Sequence, residues 1–227
     1  IPIENSLEGA VTTTLDLLIQ EKTLFIRQEL AIPIEHCLLT SYAWTDDSIK
    51  LIYSHPQALG QCREFLEKTF PEAQAVATLS TATAVEEMKD SKIPAAAIAP
   101  QRAAELYKVK IIARGVQDFP NNVTRFVVLS SNEHSPTGND KTSICFGFDT
   151  NQAGLLYDVM GDFAIRGINL TKVESRPTKE ILGRYIFLVD LEGHKDDLAV
   201  RDALSAVALK TSSLKIFGSY PVFNETV

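Results

Sequence analysis

The chain has no apolar run approaching the about eighteen residues that would cross a membrane as a helix. Its cysteines are few, Cys37, Cys62 and Cys145, odd in number and scattered through apolar stretches. That spacing argues against a disulfide framework and for a reducing, cytoplasmic setting. HExxH and CxxC are both missing, and His36, His55, His134 and His194 keep no ligand spacing, so no metal is expected. There is no GxSxG elbow and no phosphate-cradling GxxxxGKS/T loop, and Gly154, Gly161 and Gly167 follow no dinucleotide fingerprint. Familiar catalytic motifs are thus mostly absent. Positive charge is also short: 22 Lys and Arg stand against 29 Asp and Glu, a net charge of -7. Nucleic acid or an anionic membrane would need a clustered basic face, so neither is an expected partner. A local basic pocket for a small anion is compatible with that balance.

What is present reads as globular. The 227 residues are 45% hydrophobic and 22% charged, enough for two modest domains or one large one. One polar stretch, SSNEHSPTGND from Ser130 to Asp140, interrupts the apolar periodicity and holds Pro136 and Gly138. The boundaries expected from it are a first domain over 1–130, a linker over 131–141 and a second domain over 142–223. Before the linker, strand-like LIYS, AQAVATL, AAAIA and VKIIARGV alternate with helical HPQALGQCREFLEK, STATAVEEMKD and PQRAAELY. This alternation predicts a parallel sheet covered by helices, followed by a strand at NVTRFVVLS. After the linker the order changes to strand, helix, strand, strand, helix, strand, the ferredoxin-like split βαββαβ motif. Its first helix carries Leu156, Val159, Met160 and Phe163 on one face and stops at Gly167.

Four polar clusters sit at element ends: Glu4-Asn5-Ser6, His55-Pro56-Gln57 with Gln61, Ser80-Thr81, and Asn121-Asn122 with Thr124-Arg125. In open α/β sheets such ends gather ligands, and helix N-termini offer free N–H groups to anions. Each cluster also has a plain reading. Ser80 or Thr81 serves as an N-cap, Gln57 and Gln61 as a solvated helix face, and Arg125 as a partner of a surface carboxylate.

Together these residues resemble a known family. PIENS (Pro2 to Ser6), SHPQ…QC (Ser54 to Cys62), STA (Ser80 to Ala82) and NxTRF (Asn122 to Phe126) are similar to the prephenate dehydratase signatures, in the family's order. AGLLYDV…INLTKVESRP resembles the ACT regulatory domain attached to those enzymes. The resemblance implies a two-lobed α/β catalytic domain of the type II periplasmic-binding-protein kind, its second lobe near 33–114, plus a βαββαβ ACT domain. It implies conversion of prephenate to phenylpyruvate with loss of water and carbon dioxide, without a cofactor and inhibited by L-phenylalanine. Thr124, Asn5 and Gln61 would be catalytic, with Thr124 nearest the departing hydroxyl. Arg125, Glu4, Ser6, Ser80, Thr81 and Phe126 would contact substrate. Gly154, Leu155, Leu156, Asn169, Leu170, Glu174, Ser175 and Arg176 would hold phenylalanine between paired ACT modules, in a homodimer or homotetramer. Ala153-Gly154-Leu155 stands where the family usually has proline-glycine-alanine, which implies a narrower pocket. Family members also carry several dozen residues ahead of PIENS, including a GPxGT motif. The chain is therefore expected to be an N-terminally incomplete part of a longer enzyme, and an upstream chorismate mutase is left open. The rivals are arogenate dehydratase and a non-catalytic amino-acid sensor.

Overall fold

The computed structural model describes residues 1–44, 49–179 and 183–223. The chain divides into two compact units, one of residues 1–32 with 124–227 and one of residues 33–123. In the first, β1 (Pro2–Asn5) turns back into β2 (Gly9–Ala10). Gly9 makes that turn at φ +78°, a backbone region that favours glycine. Next, α1 (Thr12–Gln20) buries Leu15 and Leu18 on one face, and β3 (Phe25–Pro33) follows.

The second unit is built from β4 (Cys37–Thr40), β5 (Leu51–Ser54), α2 (Pro56–Gln61), α3 (Arg63–Thr69), β6 (Gln74–Ala77), α4 (Thr81–Asp90), β7 (Ala95–Ala99), α5 (Gln101–Tyr107) and β8 (Lys110–Arg114). Its sheet runs β6-β5-β7-β4-β8. The strands alternate as a sheet covered on both faces must. Leu39, Ala95, Ala97 and Ala99 pack on α4 and α5, while Leu38, Ala96 and Ile98 pack towards α2 and α3. The expected parallel sheet needs one correction: β5 is parallel to β6 and β7, but β4 is antiparallel to both β7 and β8. The reason is that β4 enters the sheet directly from the first unit, without a crossover helix before it. The expected helix over 55–68 is also broken, because Cys62 leaves the helical region (φ -116°, ψ 18°) with its side chain in the core.

The chain then returns to the first unit. β9 (Val123–Ser130) inserts between β1 and β3, giving the order β2-β1-β9-β3. β10 (Asp140–Gly147), α6 (Leu155–Ala164), β11 (Leu170–Pro177), β12 (Tyr185–Glu192), α7 (Leu198–Lys210) and β13 (Ser213–Pro221) form the expected βαββαβ motif, with strands in the order β11-β12-β10-β13. Both faces of this second sheet are buried. Ile144, Phe146, Val189 and Leu191 pack on α6 and α7. Cys145, Leu188, Phe217 and Tyr220 share a core with Ile3, Leu15, Leu18, Ile26 and Val127. Gly218 of β13 lies so close to the Ile26 backbone of β3 that a Cβ would collide with it.

Candidate functional site

The residues expected to act fall into separate clusters, and the first is set by strand register. β1 and β9 run antiparallel with Asn5 opposite Thr124 and Glu4 opposite Arg125. Asn5 is 9% exposed, and its Nδ2 donates to Thr124 Oγ1 at 2.9 Å. Its Oδ1 accepts from the backbone N–H groups of Leu7 and Glu8, both at 3.0 Å. Those two bonds decide which way the Asn5 amide faces. Because Thr124 Oγ1 accepts from Asn5, the hydroxyl proton of Thr124 is directed elsewhere. Ser6 is exposed in the turn, and Phe126 is half-buried opposite Pro2.

Arg125, the next residue, faces a different environment. Its guanidinium donates to Glu29 Oε2 (2.8 Å), Asp190 Oδ2 (2.6 Å) and the Tyr220 hydroxyl (2.9 Å), and reaches Glu4 Oε2 at 3.4 Å. Burial opposes its charge, but Tyr220, Asp190 and Glu29 outweigh that and hold it above its ordinary value. The plain reading, a weak pair with a surface carboxylate, is thus replaced by a buried network. Lys141 also pairs with Glu29, and Ser143 accompanies Asp190 and Tyr220.

In the second unit, Gln61 ends α2, and its Oε1 lies 2.9 Å from His36 Nε2 and 3.1 Å from Asn122 Nδ2. His36 and Asn122 are 6% and 1% exposed. Asn122 opens the NxTRF stretch, whereas His36 carries no sequence signal beyond being a histidine. Ser80, with extended backbone, caps α4: its Oγ accepts from Thr83 N at 3.0 Å. His55 caps α2 in the same way, accepting from Gln57 N. Thr81 is the first residue of α4.

The residues expected to hold an amino acid are split by period-two alternation along β11. Lys172, Glu174 and Arg176 face inward, and Val173 and Ser175 outward. Arg176 binds Asp16 of α1 (2.7 Å), as does Lys179 (2.6 Å), and the Lys179 hydrogen bond leads in holding the Asp16 carboxyl below its ordinary value. Lys172 lies 3.3 Å from both Glu4 and Glu174. Asn169 donates to Glu192, and Leu170 opens β11. Gly154 starts α6 at φ +92°, followed by Leu155 and Leu156. Those two leucines line an open cavity of about 320 Å³ with Phe148, Tyr185, Phe187 and Arg184, and Asn169 and Glu174 to Arg176 lie outside its wall.

Among the described residues no cluster of His, Cys, Asp or Glu is arranged for a metal, and no helix is long and apolar enough to cross a membrane. All three cysteines are free and buried, and burial pushes the Cys62 thiol up to about 12 and that of Cys145 up to about 11. They are core residues and poor nucleophiles.

Comparison with known proteins adds the following. Residues 1–134 match the prephenate dehydratase family and residues 150–209 the ACT domain family. A bifunctional chorismate mutase/prephenate dehydratase of Aquifex aeolicus is 44% identical over 97% of this chain, which spans 60% of that relative's length. A prephenate dehydratase of Methanocaldococcus jannaschii is 40% identical over 99% of the chain and 81% of the relative. Among solved structures, a prephenate dehydratase of Arthrobacter aurescens in complex with L-Phe is 34% identical, with a TM-score of 0.88 over 98% of this chain and 74% of that one.

Proposed function

Because the chain belongs to the prephenate dehydratase family and carries an ACT domain after it, we propose that it converts prephenate to phenylpyruvate and is inhibited by L-phenylalanine. In this reaction the bond from the ring to its carboxylate breaks and carbon dioxide leaves. The released electron pair becomes ring π-density as the ring C–O bond breaks. The departing hydroxide takes a proton and leaves as water. Aromatisation drives the sequence, so the protein must mainly hold a dianion and supply hydrogen bonds and a proton where negative charge develops on the leaving oxygen.

The Asn5–Thr124 pair carries this reading. With Thr124 Oγ1 accepting from Asn5 at 2.9 Å, its O–H proton is available to the leaving hydroxyl. Gln61 orients the substrate, and the N-terminal turn of α4 at Ser80 and Thr81 meets a carboxylate. Arg125 serves this chemistry indirectly, by fixing β9 through its buried partners. The relative bound to L-Phe and the ACT match support phenylalanine as the regulatory ligand. Pairing of ACT modules into a dimer or tetramer, and a cytoplasmic location, belong to the same proposal.

The test is phenylpyruvate formation from prephenate by the complete natural protein, with Thr124→Val and Thr124→Ser. Loss of the hydroxyl is expected to lower kcat by about 10²- to 10⁴-fold with KM nearly unchanged, and serine to restore part of it. Equal turnover by wild type and Thr124→Val would remove Thr124 from this role.

A further inference from the structure

Gln61 Oε1 is an acceptor only, so the ring nitrogen of His36 that faces it at 2.9 Å must carry the hydrogen. The His36 ring therefore donates through Nε2. Asn122 Nδ2 donates to the same oxygen from a second direction. A flipped Gln61 amide would set its NH₂ against the Asn122 NH₂, so Asn122 selects this amide orientation and with it the His36 tautomer. His36 is itself fixed by its backbone. Its N–H donates to Gln117 Oε1 at 2.9 Å and its C=O accepts from Val116 at 3.0 Å. Asn122 is anchored by its C=O, which accepts from Ile34 at 2.8 Å. Three separate stretches of the second unit are thus tied to one side-chain oxygen.

His36 has a second peculiarity. It is 6% exposed, and its Nδ1 is buried with no hydrogen-bond partner among the described residues. A buried polar atom left unpaired is destabilising. A phenylalanine would fill the same space without that cost, so packing alone does not account for a histidine here. What histidine adds is the Nε2–H aimed at Gln61.

We propose that His36, with Asn122, is a positioning residue for the dehydratase reaction: by binding Oε1 it fixes the orientation in which the Gln61 carboxamide meets substrate. This rests on the assignment of Gln61 to substrate above. Its effect appears in kcat more than in KM, because a misdirected amide still contacts substrate but does not follow charge into the transition state.

The two amide side chains separate this role from mere packing, since each mimics one ring nitrogen. Glutamine places its NH₂ near the position of Nε2, and asparagine places its own near Nδ1. In the complete natural protein, His36→Gln is expected to keep kcat within about 3-fold of wild type. His36→Asn and His36→Phe are expected to lose on the order of 10- to 100-fold in kcat, the scale of a small misplacement. In a Gln61→Ala background the loss from His36→Phe should shrink to within about 2-fold, as it must if His36 acts through Gln61. Thermal melts of each variant identify any that fail to fold. In that event the Asn122→Ala and Gln61→Ala cycle, with the same expected non-additivity, decides. Equal losses in His36→Gln and His36→Phe, or full additivity with Gln61→Ala, would overturn the positioning role and leave the dehydratase reading intact. Full activity in Gln61→Ala would instead remove the assignment on which it rests.

Discussion

Asp140 shows how much one side chain can anchor. It is 5% exposed, and its carboxylate accepts from Thr137 N and Oγ1, both at 2.7 Å, and from Gly138 N at 3.0 Å. Burial works against its charge, but the Thr137 and Gly138 bonds, with His194 nearby, hold its carboxyl below the ordinary 3.8. A carboxyl lowered on folding stabilises fully above its unfolded value, and that contribution is lost as pH falls through the folded value. The contribution of Asp140 should thus be constant from neutrality to about pH 5 and decline below it. Asp140→Asn should lower the melting temperature at pH 7, by about 1–3 kcal/mol of lost hydrogen bonding, and flatten the acid decline. An acid decline of unchanged steepness in the variant would show that other carboxyls cause it. Legibility differs from residue to residue at this scale. Asn5 and Thr124 stand inside motifs that announce them. The partners of Arg125 do not, because Glu29 and Asp190 lie 96 and 65 residues away. A lone histidine such as His36 gives no signal until the fold brings Gln61 to it.

At the scale of elements, α1 is held by cations from strands far along the chain. Lys215 of β13 donates to the carbonyls of Leu18, Ile19 and Glu21, so it satisfies acceptors at the C-terminal end of α1 that helical bonding leaves open. Burial pulls its pKa down, and its ammonium also lies 5.5 Å from the Phe217 ring. Lys215→Met keeps the apolar stem and removes the donors. It should destabilise the protein by about 1–3 kcal/mol, or about 2–12 °C in Tm for a chain of this size. Hydrogen exchange at the end of α1 should rise selectively, and uniform exchange throughout would refute the capping role. The elements themselves were unevenly readable. Helix α6 has a clean period near four, β10 alternates its bulky residues at Ile144 and Phe146, continued by Phe148 just beyond it, and β12 is an apolar run long enough to read as a strand. β4 escaped because CLLT is a four-residue apolar run with no alternation, buried throughout. β3 escaped because its burial follows no steady period.

For the whole molecule, the polar seam between β9 and the ACT sheet bears on the proposed regulation. Residues 1–32 and 124–227 form one compact unit, so the strand carrying Thr124 and the four ACT strands share it. The apolar part of their contact, Ile3, Leu15 and Val127 against Cys145, Leu188 and Phe217, gives adhesion without direction. Direction comes from the charged part. Arg125 is covalently next to Thr124 and grips Asp190 of β12 and Tyr220 of β13. Lys172 sits beside Glu4, the residue before Asn5, and Arg176 of the same strand holds Asp16. A ligand that shifts β11 or β12 therefore moves the charges that hold the Asn5–Thr124 pair, and coupling of this kind is worth typically 1–3 kcal/mol. Asp190→Asn weakens the grip while keeping shape and most hydrogen bonding. It should leave L-phenylalanine binding, measured by calorimetry, within about 3-fold of wild type. Inhibition at saturating phenylalanine should become incomplete, with the ratio of inhibited to uninhibited kcat rising by about 5-fold or more. Because Asp190→Asn can also change basal turnover through Arg125, the ratio and not the absolute rate is decisive. An unchanged ratio with unchanged binding would mean that the signal reaches Thr124 without passing through Arg125.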